Sequence, residues 1–137
     1  MLTDLYNYLA ADSTLRALIP GATVSCSRIY PEVAPDGIFP IYLIYGPVKE
    51  GSLDEVMDNM TVQISVFGAQ HEQLAVDNII KRLKVLLDKQ DQIQGVIPSA
   101  EYFIYWAKHV GGVSNFVQDT REYHRAAMFA FKFKLKV

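Results

Sequence analysis

With a single cysteine, Cys26, among 137 residues, the chain has no internal partner for a disulfide and no cysteine set for a metal. Histidine is almost as scarce, at three: His71, His109 and His124. No two of them stand at a ligand spacing, and no HExxH-like pattern occurs. Lys and Arg number 13 against 15 Asp and Glu, a formal charge of -2, and no basic run forms a phosphate-binding patch. Avid nucleic-acid binding is therefore not expected. A near-neutral surface is still compatible with DNA sliding past without sticking. No run approaches the roughly 20 apolar residues of a membrane helix. Met1-Leu2-Thr3-Asp4-Leu5 places no basic stretch before an apolar one, which disfavours a secretory signal. The expectation is a protein of the cytoplasm of the cell that makes it, without a membrane partner.

Residues able to do chemistry form no set. His71 beside Glu72 reads as the start of a surface helix. His109 and His124 are candidates to approach each other across a C-terminal hairpin, with Asp119 and Glu122 the only carboxylates near. Cys26 reads as a buried or incidental thiol. Asp54, Glu55 and Asp58 match no calcium-loop spacing and read first as a solvated acidic loop. Gly111-Gly112 lacks a phosphate-loop lysine and a following helix, so it reads as a turn. The expectation is no catalytic, cofactor-binding or metal-binding residues, no cofactor, and no enzymatic activity.

What the chain has in quantity is aromatic and aliphatic surface: 50% hydrophobic residues, with eight Tyr and seven Phe. Such side chains serve both cores and interfaces. At this length one domain, residues 1–137, is expected, burying roughly two thirds of its unfolded surface.

The clearest single pattern lies near the C-terminus. Side chains alternate between the two faces of a strand. From Tyr123 to Leu135 one parity is Tyr123, Arg125, Ala127, Phe129, Phe131, Phe133, Leu135. The other is His124, Ala126, Met128, Ala130, Lys132, Lys134, Lys136. One face belongs to a core and the other to solvent. Earlier in the chain, Thr3 and Asp12 are candidate caps for a short kinked helical segment with Leu5, Tyr8, Leu9, Leu15, Leu18 and Ile19 buried, closed by Pro20-Gly21. An edge strand or an extended segment is expected at Arg28-Ile29-Tyr30, and a strand over 41–45 ended by Gly46-Pro47. A polar excursion over 48–59 precedes a strand over 61–67 with Val62, Ile64 and Val66 on one side. Residues 70–89 predict the main helix, with Ala75, Ile79, Leu83 and Leu86 on its buried stripe, widened by Val76, Ile80 and Leu87. A strand over 100–109 sets Tyr102, Ile104 and Trp106 on one parity. A loop over 110–121 leads into the last strand. The fold class is α+β: two helices packed on a largely antiparallel or mixed sheet.

Three motifs in order carry a family resemblance. They are Arg28-Ile29-Tyr30-Pro31 with Val33-Ala34-Pro35; Pro40 before Ile41-Tyr42-Leu43-Ile44-Tyr45; and Val62-Gln63-Ile64-Ser65-Val66-Phe67-Gly68-Ala69 running into the long helix. Together they resemble the tail completion, or tail-to-head joining, proteins of long-tailed phages and prophages, most clearly from Leu5 to Leu87. The resemblance implies a tail-terminator-like subunit forming a ring, a hexamer, at the head-proximal end of the tail tube. The ring caps the tube, meets the head connector or stopper, and lets DNA pass through its lumen. Its place is the host cytoplasm during assembly and then the head–tail junction of the virion. It implies no catalytic residues. A ring subunit needs two different contact patches. The candidates for partner contact are Asp54, Glu55 and Asp58 in the acidic excursion, Tyr102 and Trp106 in a strand apolar on both faces, and Phe116 and Val117 in the late loop. Another connector subunit, or a tail tube subunit, of the same assembly module is the alternative.

Overall fold

The computed structural model describes residues 1–23, 25–35, 41–52, 58–91, 93–117 and 121–136, with the backbone alone for 49–52 and 115–117. Two short helices open the chain, α1 (Leu2–Ala11) and α2 (Ser13–Leu18). Strands β1 (Ile29–Pro31), β2 (Tyr42–Ser52) and β3 (Asp58–Ala69) come next. A single 3-10 turn, Gln70–Glu72, leads into α3 (Gln73–Leu87). Then come β4 (Lys89–Gln90), β5 (Tyr102–Val117) and β6 (Glu122–Leu135). The six strands form one sheet in the order β1-β2-β3-β6-β5-β4. Among the described residues only the β1–β2 pair is parallel, so the sheet is mixed and largely antiparallel, as expected.

The alternation near the C-terminus sets the core. Phe129 and Phe131 are fully buried and Phe133 nearly so, all on one face of β6. Val62, Ile64 and Val66 of β3 lie beside them on the same face. The stripe of α3, with Val76, Ile79, Ile80, Leu83, Leu86 and Leu87 buried, closes over this face. Each such side chain contributes roughly 1.5–3 kcal/mol by leaving water. Helix α1 adds Leu5 and Leu9 from the side, where Tyr6 stacks on Tyr45 with centroids 6.2 Å apart.

The helix layer is tied by Asp12. Its carboxylate accepts the backbone N–H of Leu15 at 2.7 Å, capping α2, and receives Arg82 of α3 in two bonds of 2.7 and 3.0 Å. Hydrogen bonding from Arg82 holds the carboxyl below the usual carboxylate range. Thr3, by contrast, lies inside α1 and does not cap it; the N-cap position is Met1.

Three expectations change. Gly46-Pro47 does not end β2: Pro47 pairs with Val62, a bulge comes after it, and the strand continues to Ser52. Proline is tolerated there because β1 stops opposite Tyr45, which leaves this stretch of β2 at the sheet edge. The polar excursion is therefore mostly a two-stranded ladder, from Lys49↔Thr61 to Ser52↔Asp58. Second, residues 110–117 are not a loop but the second half of β5, paired with β6 up to Val117↔Glu122. Gly111-Gly112 reads as a turn by composition. Its role is a bulge and a close approach: a Cβ on Gly112 would sit 2.5 Å from the carbonyl oxygen of Ala126. Third, the main helix stops at Leu87, short of residue 89, and Lys89–Gln90 form β4, a two-residue strand with no hydrophobic signal of its own.

Gly112→Ala is expected to destabilise the β5–β6 hairpin, because the obstacle is backbone and cannot rotate away; a lower urea midpoint measures it. Asp12→Ala is expected to cost about 1–2 kcal/mol, and Asp12→Asn, which keeps a cap, less. With its pKa depressed, Asp12 contributes stability that is present above pH ~4 and lost as pH falls through the folded value. Melting curves in acid, wild type against Asp12→Asn, check the sign.

Candidate functional site

The sheet has two ends, and the candidate contact residues divide between them. At one end the β2–β3 ladder terminates in Ser52↔Asp58. Asp58 also stands opposite Phe133 of β6, which stands opposite Ile104 of β5. Tyr102 pairs with Leu135 there, and its ring meets Phe133 edge-on at 5.4 Å. Asp58, Tyr102 and Trp106 thus share one end of the sheet. Asp54 and Glu55 lie outside the described residues.

Trp106 does not share the face of Ile104, as strict alternation requires. A bulge between Ile104 and Trp106 inserts one residue and exchanges the two faces from Trp106 to His109, after which a second bulge restores them. Ile104 and Ala107 are buried, whereas Trp106 turns outward opposite Lys132. The ammonium of Lys132 lies 4.6 Å from the Trp106 ring centre, and that of Lys134 5.6 Å from Phe103. Phe103 stacks on Tyr105 at 6.0 Å. This end therefore carries aromatic rings under lysines, an arrangement worth roughly 0.5–1 kcal/mol per pair when exposed.

At the opposite end β5 and β6 form a hairpin tip. Phe116 pairs with Tyr123 and Val117 with Glu122. Beside the tip, on the face away from the helices, Tyr42, Phe67 and His124 stack in a row, with centroid spacings of 5.1 and 4.6 Å. The Tyr42 hydroxyl donates to Glu122 at 3.4 Å. Burial, with the Glu122 charge behind it, pushes the Tyr42 phenol up to about 12. Burial also moves His124 below its ordinary value, favouring the neutral ring. The sequence does not reveal this row, because its members come from three strands, and Phe67 and His124 sit on the parities expected to face solvent. A cavity of about 480 Å³ adjoins it, with Glu32, Ile44, Pro47, Gln63 and His124 in its wall.

His109 and His124 do not come together. His109 pairs with Phe129 and His124 with Asn115, well separated along the hairpin. Cys26 is exposed. Among the described residues no three His, Cys, Asp or Glu side chains gather as metal ligands. No helix is long and apolar enough to cross a membrane among those residues. What the two ends offer is contact chemistry: aromatic rings, lysines and strand backbone.

Comparison with known proteins bears on this. A family model described as "Tail completion protein gp17" matches residues 3–131. Among proteins of curated function nothing matches the sequence. Among solved structures, the chain is similar to one in the "Virion of native gene transfer agent (GTA) particle", at 16% identity and TM-score 0.62. The likeness covers 97% of this chain and 92% of that one. At that identity it shows a shared fold.

The lowered His124 value has a measurable sign. The unfolded chain binds the imidazole proton more readily, so stability is full above about pH 6.5 and falls as pH drops through that value. Thermal melting between pH 7.5 and 5.5 is expected to show the decline, and His124→Phe to flatten it.

Proposed function

The chain belongs to the tail completion protein gp17 family, and on that premise we propose that its copies close a ring, a hexamer, on the head-proximal end of a phage tail tube. Membership makes it a structural component of phage tail assembly, whose contacts are with tail tube and head connector components. In the proposed role the ring stops tube growth, docks on the connector, and leaves an axial passage for DNA that it does not grip. The subunit is made in the host cytoplasm and ends at the head–tail junction.

The observation that carries this reading is the division of contact residues between two ends of one sheet. A capping ring needs one surface for the tube, another for the connector, and two unlike edges for its neighbours. Asp58, Tyr102 and Trp106 supply one end, and the Phe116–Val117 tip supplies the other. Asp54 and Glu55 are assigned by sequence to the same arm as Asp58. The likeness to a chain from a gene transfer agent virion supports a place in an assembled particle.

Phe116→Asp combined with Val117→Asp is expected to leave melting close to wild type and to abolish joining of heads to tails, seen as separate heads and tails by electron microscopy. Joined particles in normal yield would overturn the role of the tip. For the ring itself, the purified chain mixed with tube protein should yield capped tubes. Long stacks of this chain alone would instead identify a tube subunit.

A further inference from the structure

Both edges of the sheet outrun the strands that cover them. On one side β1 pairs with Leu43, Ile44 and Tyr45, while β2 runs on to Ser52. On the other, β4 pairs with Trp106 and Ala107, while β5 runs on to Val117. Among the described residues no further strand pairs with these outer stretches. An open strand edge is a row of unsatisfied backbone donors and acceptors, and proteins blunt such edges when nothing covers them. The β2 edge is partly blunted, by Pro47 and the bulge after it. The β5 edge is not: from Gly111 to Val117 its pairing with β6 is regular, it holds no proline, and Val113 on it is 56% exposed.

Beneath that edge, between β5–β6 and α3, lies a cavity of about 320 Å³ whose wall includes Lys84, His109, Ser114, Tyr123 and Arg125. Arg125 is paired with Asp77 at 2.5 Å. Lys84 is half-buried and has no ion pair among the described residues. The open edge is thus flanked by one ammonium, that of Lys84, without an ion pair among the described residues.

We propose that the β5 edge, Gly111–Val117, receives the outer edge of β2 from a second copy of this chain, and that a carboxylate of the incoming arm enters the cavity at Lys84. The proposal rests on the ring reading and specifies its subunit contact. Three features select a second copy. The chain's own sequence over residues 48–59 is acidic, with Glu50, Asp54, Glu55 and Asp58 against Lys49 alone. Its outer edge is the other uncovered edge of the sheet. The directions also agree: β2, β3, β6 and β5 are successively antiparallel, so β2 and β5 run opposite ways. Copies related by rotation about an axis near the strand direction therefore meet as an antiparallel pair, the commoner kind. Glu50 pairs with Met60, a residue packed on the core, so edge addition carries position 50 along the helix-covered side, where the cavity opens. The two open stretches lie toward opposite ends of the sheet, so the strands incline to the ring axis, as in any closed barrel.

The test uses assembled particles. In a Cys26→Ser background, which removes the exposed native thiol, Val48→Cys and Val113→Cys put one thiol on each edge, both at positions 56% exposed. A short bismaleimide is expected to give a ladder of multimers from the double variant and no dimer from either single one. Lys84→Glu is expected to lower the yield of joined particles about tenfold without shifting melting, and Glu50→Lys in the same chain to restore it. If a variant makes no particles, the same cross-linking on concentrated purified protein decides. Joined particles without a ladder overturn the edge contact and leave the tail-completion reading standing. A ladder from chains that never enter particles supports the contact and overturns that reading. An unaffected Lys84→Glu overturns the carboxylate assignment.

Discussion

Strand β6 is hydrogen-bonded on both sides along nearly its whole length, to β3 on one and β5 on the other. Every other element depends on that placement. A strand bonded on both sides has one choice left, which face is buried. Phe129, Phe131 and Phe133 make that choice, since a shift of one register step would exchange them for Ala130, Lys132 and Lys134. With the register held, β3 brings Val62, Ile64 and Val66 alongside, and α3 has a continuous apolar surface to cover. The N-terminal helices fill the remaining side, anchored through Asp12 and Arg82.

The same arrangement leaves the candidate contact residues outside the core. Because β2, β3, β5 and β6 are longer than the helix layer needs, their ends project as two ladders at opposite ends of the sheet. One carries acidic residues and lies near rings stacked under lysines. The other runs to the Phe116–Tyr123 and Val117–Glu122 pairs beside the Tyr42–Phe67–His124 row. In the proposed joining role, strand length beyond the core is the useful property. It supplies surface without altering what holds the domain together.

Much of the fold was legible. The buried parity of β6, the stripe of α3, the half-buried β3 and the Asp12 cap each rest on local periodicity or local hydrogen bonding, which neighbouring residues determine. The misreadings have a common cause. Polar residues 48–52 and the Gly111-Gly112 segment look like loops because turn composition and strand edges share residue types. Their extended state comes from backbone pairing with a partner strand, which leaves no hydrophobic signature. Strict alternation puts Trp106 on the wrong face because a bulge breaks period two and no residue announces it.

From the amino acids alone came the α+β class, the core faces of the main elements, and a family resemblance carried by three ordered motifs. Side-chain periodicity is local, and burial tracks it. The order of strands, the gathering of Tyr42, Phe67 and His124, the separation of the candidate contact residues to opposite ends, and the two edges left uncovered among the described residues were decided only in the folded chain. Each depends on which strands lie side by side. That is a long-range outcome of closing one sheet over one helix, and residues distant in sequence settle it together.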